Sequence, residues 1–132
     1  MSTVTQELID RQPFAAHCGI TLQAAAPEEV RGALAWRAEL CTTYGTMHGG
    51  AIMTFGDTLG ALCGFLNLPE GAATSTIESK TNFFRGVPEG EVTGVARPLH
   101  VGRTTIVVQT DITREGRRIA QVTQTQAVLT GR

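Results

Sequence analysis

The segment MHGGAIMTFGDTLGALCGFL, residues 47–66, is apolar almost throughout and carries one acidic side chain, Asp57. No Lys or Arg occurs from Cys41 to Ser79, and positions 53, 54, 60 and 61 are Met, Thr, Gly and Ala. No cation at helical spacing can therefore pair with the carboxylate. A buried, unpaired carboxylate is costly. Three readings follow: a rim position facing water, hydrogen bonds to backbone N–H groups elsewhere, or a catalytic carboxylate whose desolvation serves its task as base or nucleophile.

The same segment opens with His48, Gly49 and Gly50. The first N–H groups of a helix lack internal partners, and that end carries partial positive charge. Glycine lets a carbonyl oxygen approach the backbone closely. Gly49 and Gly50 thus have the build of an oxyanion hole, or else form an ordinary glycine-containing entry loop. Gly49 and Asp57 lie eight residues apart, about 12 Å of helical rise. One helix cannot bring both to a single reacting carbonyl. A second, antiparallel copy of the helix could, and a two-fold homodimer would supply two equivalent sites.

The remaining chain supplies elements to hold that helix. The run TVTQELIDRQ has Val4, Leu8 and Ile9 near helical spacing and is expected to end at Pro13. GITLQAAAPEEV and EVRGALAWRAEL read as a strand pair turning at Pro27 and Glu28, the second alternating from Val30 through Trp36 to Leu40. Four strand-like runs follow the long helix: TSTIESKTNFFR, GEVTGVARPLHVG, TTIVVQTDIT and RRIAQVTQTQAVL. Pro98 in the second implies an edge, a bulge or a strand end. PEG at 88–90 and REGR at 114–117 read as turns between consecutive strands, with Gly116 at positive φ. Helix, two strands, long helix and four strands make an α+β chain, with an antiparallel sheet curved around one helix that must be covered on most sides. Gly56, Gly60 and Gly64 line one stripe of that helix. They either allow close packing or merely relieve crowding.

At 132 residues the chain is read as one domain, 1–132, without repeat or linker. Its net charge of -1 leaves no electrostatic footprint for nucleic acid. Cys18, Cys41 and Cys63 lack CxxC spacing, which argues against a disulfide framework and against a zinc site. The N-terminal run has no apolar export core, so a cytoplasmic location is expected. A membrane-spanning reading of residues 47–66 is disfavoured, since Asp57 at mid-bilayer would cost roughly 3 kcal/mol or more.

Three stretches, GTMHGGAIMTFGDTLGALC, ESKTNFFRGV and ARPLHVGRTTIVVQTDITREGRRIAQVTQTQAVL, resemble the hotdog-fold acyl-CoA thioesterases of the phenylacetate-degradation (PaaI-like) type. The resemblance covers about residues 19–130. It implies hydrolysis of an aryl- or medium-chain acyl-CoA to free acid and CoA, by a homodimer that pairs further into a dimer of dimers. Asp57 falls on the family's catalytic acid, as nucleophile or general base. Gly49 falls on the backbone N–H that polarises the thioester carbonyl from the opposite subunit, with His48 and Gly50 shaping that loop. Thr42 occupies a position where many relatives carry Asn or Gln, a departure that puts the usual polar helper in doubt. Thr76 matches a strand that often supplies a hydroxyl near the acid. Arg85, His100, Gly102, Arg103 and Thr104 match regions near the CoA phosphates, where an arginine's bidentate fork suits phosphate. The resemblance implies no metal or redox cofactor, because coenzyme A is part of the substrate. Phe14, Met53, Phe55, Leu59 and Phe65 offer an apolar acyl lining. A non-catalytic acyl-CoA-binding protein on the same fold is the alternative.

Overall fold

A computed structural model describes residues 3–131. Two short helices, α1 (Thr3–Asp10) and α2 (Pro13–Cys18), precede strands β1 (Thr21–Ala26) and β2 (Glu29–Ala35). A single 3-10 turn at Ala38–Leu40 leads to the long helix α3 (Gly49–Leu66). Strands β3 (Ala73–Phe83), β4 (Glu91–Val101), β5 (Thr105–Arg114) and β6 (Arg117–Leu129) complete the chain. The strands form one six-stranded sheet in the order β1-β2-β4-β5-β6-β3, with every neighbouring pair antiparallel. The sheet curves around α3, giving the α+β hotdog arrangement.

Alternation decides which face of each strand meets the helix. On β5, Ile106, Val108, Thr110 and Ile112 are fully buried, and on β4 so are Val92 and Ala96. The helix contributes Phe55 and Leu59, both 0% exposed. These two side chains press onto Gly94, and Leu59 also onto Gly32, where a Cβ on the sheet would collide with them. The reverse happens along β6. A Cβ at Gly56 would stand 2.5 Å from Val122 Cγ2, one at Gly60 would run into the Gln124 amide, and one at Gly64 would stand 2.9 Å from Gln126 Cγ. Four helical residues rise about 6 Å and two strand residues about 6.7 Å. Each glycine therefore meets the next inward residue of β6, so the glycine stripe serves close packing. By length and composition α3 could cross a membrane, but nine of its 18 residues are buried within the protein.

Three sequence expectations are corrected. Pro13 does not end the first helix; α1 stops at Asp10, and Pro13 opens α2 at a first-turn position, where its missing N–H costs nothing. The strand expected to reach Leu40 stops at Ala35, because the ladder partner runs out at the pair Ala35↔Glu91. The PEG turn does not join neighbouring strands: β3 pairs with β6 at the sheet edge, and the segment after it crosses to β4. That crossing is tied down by Phe84 N–H to Ile119 O at 2.8 Å and Met47 N–H to Val87 O at 2.8 Å. Pro98 sits at a bulge in the β4–β5 ladder, beyond the last β2–β4 pair at Ala96, so no inner hydrogen bond is lost.

Two stability outcomes test this packing. Gly56→Ala gains about 1 kcal/mol of helix propensity, but the β-branched Val122 cannot yield, and overpacking costs about 1–3 kcal/mol. Denaturant unfolding should show a net loss; a gain would refute the close approach. The Thr110 hydroxyl is buried without a hydrogen-bond partner among the described residues. Thr110→Val should therefore raise stability by about 1 kcal/mol, read as a melting temperature higher by a few degrees.

Candidate active site

The loop before α3 is braced on both sides. Thr42 N–H bonds to Thr46 O at 2.8 Å, and Gly45, at φ 82°, closes the turn. The Thr42 and Thr46 hydroxyls lie 3.2 Å apart, and Trp36 Nε1–H reaches Gly45 O at 3.0 Å. His48 N–H bonds to Leu40 O at 2.7 Å. This bracing delivers His48 in the N-cap position, with extended φ and ψ, and its Nδ1 accepts the Gly50 N–H at 2.8 Å. An Nδ1 that accepts carries no proton, so the ring's remaining proton lies on Nε2. The next helical N–H groups, of Ala51 and Ile52, go to His48 O. Gly49 is left as the first-turn residue whose N–H meets no acceptor among the described residues, at the positive end of the helix dipole. The Phe83 ring lies against its α-carbon: a Cβ there would be 3.3 Å from Phe83 Cζ.

Asp57 sits two turns further along, half-buried. A cavity of about 490 Å³ opens against it, walled by Arg11, Gln12, Pro13, Phe14 and Ala15 on one side and by Thr54 and Thr58 of α3 on the other. Burial raises the Asp57 carboxyl above its ordinary value, while a hydrogen bond from Gln124 works against that rise. The Gln124 amide Nε2 donates to Asp57 Oδ1 at 3.2 Å. Of the three readings open from the sequence, two do not fit: the carboxylate is neither at a fully wet rim nor held by backbone N–H groups. A side-chain amide from the sheet holds it. Cys63, on the same helix, is buried, and burial pushes its thiol up to about 11. It is therefore no thiolate at neutral pH.

Sequence reasoning missed Gln124 and Gln126, although a signal existed. In RRIAQVTQTQAVL the inward phase of the alternation runs Ala120, Val122, Gln124, Gln126, so two glutamines fall on the helix-facing side. It also missed Arg11 and Gln12 as cavity walls. Thr76 reaches the same network: its hydroxyl donates to Gln126 Oε1 at 2.8 Å rather than to Asp57.

The other expected ligand residues are dispersed within one chain. Gly102, Arg103 and Thr104 share a cavity of about 580 Å³ with Asn67, Leu68 and Pro69, just past the C-terminal end of α3. His100 is exposed, with its ring against Gly102. Arg85 is exposed at the opposite end, its N–H bonded to Ile119 O, whereas Thr104 O accepts from Val128 N–H. Ile119 and Val128 are nine residues apart on β6, about 30 Å. No single protomer gathers these groups on one phosphate cluster. Of the expected acyl lining, Phe14 and Phe65 border cavities, while Phe55 and Leu59 point into the core.

A half-buried carboxylate beside a cavity and an open N–H at a helix start are groups that acyl transfer can use, and the fold that carries them is the hotdog. Residues 44–121 match the family model of the thioesterase superfamily. The chain belongs to that superfamily, and it is a thioester hydrolase. Thioesterase HI1161 of Haemophilus influenzae superposes with a TM-score of 0.89 at 26% identity, covering 98% of this chain and 93% of that one. A mutant of thioesterase PA1618 of Pseudomonas aeruginosa gives 0.88 at 26% identity, covering 97% and 96%. The proofreading thioesterase EntH of Cronobacter sakazakii is 38% identical over 60 residues, which are 46% of this chain and 44% of that protein. This match therefore spans less than half of EntH.

The raised Asp57 carboxyl has a consequence for stability. A folded carboxyl that holds its proton more tightly than the unfolded one makes the native state gain stability as pH falls through the folded value. Above that value the buried charge is a cost. Asp57→Asn should therefore melt higher than the parent at pH 7, and the gap should close as pH is lowered; an equal or lower melting temperature at pH 7 would contradict it.

Proposed function

We propose that this chain hydrolyses an acyl-CoA thioester to the free acid and CoA, at two sites shared across a homodimer, in the cytoplasm. The observation that carries the reading is the helix row Gly49, Met53, Asp57, Ala61 and Phe65. None of the five is fully buried, although α3 is otherwise a core helix. The row carries a free N–H at one position and a carboxylate two turns away, each complete as half of a site and too far apart to act together.

An antiparallel copy of the same helix reunites them. The sheet offers a matching edge: β3 pairs only with β6, and Ile77 and Phe83 on it are 63% and 48% exposed. An edge of this length with apolar side chains invites pairing. Reversal of the partner also brings its Arg85 end beside this chain's Gly102–Arg103–Thr104 end, so that the dispersed phosphate ligands fall together.

In this dimer the thioester oxygen meets the Gly49 N–H and the helix dipole of one protomer. Asp57 of the other acts in one of two ways. It takes a proton from the water that attacks the carbonyl carbon, and that proton passes to the departing sulfur. Or it attacks the carbon itself, expelling the CoA thiolate and forming a mixed anhydride. Water then hydrolyses the anhydride to the free acid and the Asp57 carboxylate, with a proton of that water going to the thiolate. Phe14 and the Asp57 cavity continue into an apolar groove of about 300 Å³ lined by Leu8, Ala61, Leu62 and Phe65. Phe65 is eight residues past Asp57, so the groove reaches about 12 Å from the carboxylate. That length suits an aryl or medium-chain acyl group.

Subunit complementation tests the shared site. Pro is tolerated at the first helical position and has no N–H, so Gly49→Pro removes the donor and leaves the helix intact. Alone, it should lower kcat about 10²–10³-fold, as loss of one oxyanion donor does, and Asp57→Asn alone should be inactive. Dimers reassembled from the two variants contain one intact site and should recover well above either parent. A mixture no better than its parents would sink the shared site, and retained turnover of every acyl-CoA by a folded Asp57→Asn dimer would sink the mechanism.

A further inference from the structure

Gln124 and Gln126 are each 1% exposed and stand two residues apart on the helix-facing side of β6. A buried amide can in principle be turned either way, exchanging its oxygen and nitrogen. Here the neighbours allow one orientation, and the logic starts at a backbone carbonyl. The oxygen of Ala127 can only accept, so the Thr74 hydroxyl, 2.8 Å away, donates to it. Thr74 Oγ1 is then free to accept, and it takes the Gln126 Nε2–H at 3.3 Å. This turns Gln126 Oε1 towards Gln124, whose Nε2 donates to it at 3.0 Å. The second N–H of Gln124 is left for Asp57, with Oδ1 at 3.2 Å and the backbone oxygen at 3.5 Å. A reversed Gln124 would set its oxygen against three other acceptors at once.

The helix makes room for this arrangement. Gln124 Oε1 lies against Gly60 and finds no hydrogen-bond partner among the described residues. A side chain at Gly60 or Gly64 would displace one glutamine or the other.

We propose that Thr74, Gln126 and Gln124 form a buried relay of fixed hydrogen-bond polarity, whose task is to keep an amide N–H, never an amide oxygen, on Asp57. The proposal rests on Asp57 being the catalytic acid, and it makes these three positioning residues. The relay fixes Oδ1, so Oδ2 is the oxygen that acts in the cavity. It also supplies the one donor to the carboxylate among the described residues.

No charge competes with it from the sheet. β3 turns Thr74, Thr76, Ser79 and Thr81 to the helix side, as their pairing with Val128, Gln126, Gln124 and Val122 requires. β1, β2, β4 and β5 turn aliphatic side chains and Thr110 that way, and α2 turns Ala15 and Cys18. At the α1–α2 corner Arg11 lines the Asp57 cavity, 3.8 Å from Glu7. His48 sits two turns away at the helix cap, and Cys63 on α3 itself is un-ionised.

The test is the pH profile of kcat/KM with phenylacetyl-CoA and octanoyl-CoA, alongside an NMR titration of the ¹³C-labelled Asp57 carboxyl that needs no substrate. In Gln124→Leu the acid limb and the NMR titration should both move to higher pH by about one unit, a tenfold change in proton affinity, with KM within twofold of the parent. Thr74→Val, a half-buried change at the sheet edge that does not touch Asp57, should shift both in the same direction by less. It keeps the test alive if Gln124→Leu fails to fold. A folded Gln124→Leu with neither limb nor titration moved overturns the relay; if Gln124→Leu does not fold, an unmoved Thr74→Val does so. The two readings fail separately: turnover retained in Asp57→Asn removes the catalytic role of Asp57, whereas an inactive Asp57→Asn with an unmoved Gln124→Leu titration removes the relay alone.

Discussion

Everything in this fold depends on how near α3 lies to β6. The glycine row at 56, 60 and 64 removes three side chains from the contact, and the strand fills the space with Val122, Gln124 and Gln126. On the other flank the roles exchange, and Gly32 and Gly94 of the sheet receive Leu59 and Phe55 of the helix. Interdigitation in both directions fixes the axial register of helix on sheet to within one residue. A slip of one residue would place Cβ atoms of neighbouring positions against the inward side chains of β6. That register decides which sheet residue meets Asp57, and so the same contact that builds the core also builds the site.

The electrostatics follow from this placement. The row that carries Asp57 is adjacent to the glycine row, so the carboxylate lies at the margin of the contact, close enough for one amide and open on its other side to the cavity. A neutral amide donor is a measured choice. An arginine or lysine at position 124 would hold the carboxylate well below its ordinary range and weaken it as a base. No donor at all would leave it protonated too readily. Glutamine moderates the effect of burial without cancelling it, so the carboxyl stays above its ordinary value.

Much of this was legible in the sequence, and what was not has a physical reason. Helix α3, the oddity of Asp57, the glycine row and the alternation of β4, β5 and β6 are local patterns, written in periods of 3.6 and 2. The pairing of β3 with β6 is not local: two strands lie between them in sequence, and only the length of the 84–90 crossing hinted that β3 was not half of a hairpin. The partner of Asp57 was hidden for the same reason. Gln124 lies 67 residues away, and a polar residue at an inward phase looks like ordinary alternation until the helix is docked. The end of β2 at Ala35 depended on where β4 begins, again a matter of partners rather than of the residues themselves.

The geometry of the helix row carries one more consequence for the proposed dimer. Two-fold symmetry requires that whatever lies at the axis meets its own copy. For Gly49 of one protomer to face Asp57 of the other, the axis must cross the row midway between them, at Met53. Met53 is 41% exposed, unbranched, uncharged and adaptable. A charge there would meet a like charge across the axis, and a β-branched residue would have fewer ways to fit against its own copy. In the proposed dimer, helix positions 49, 53 and 57 thus form a set in which the outer two would do the chemistry and the middle one would be only a contact. The eight-residue spacing that keeps the two groups apart within one chain is the spacing that the proposed two-fold axis would convert into two identical sites.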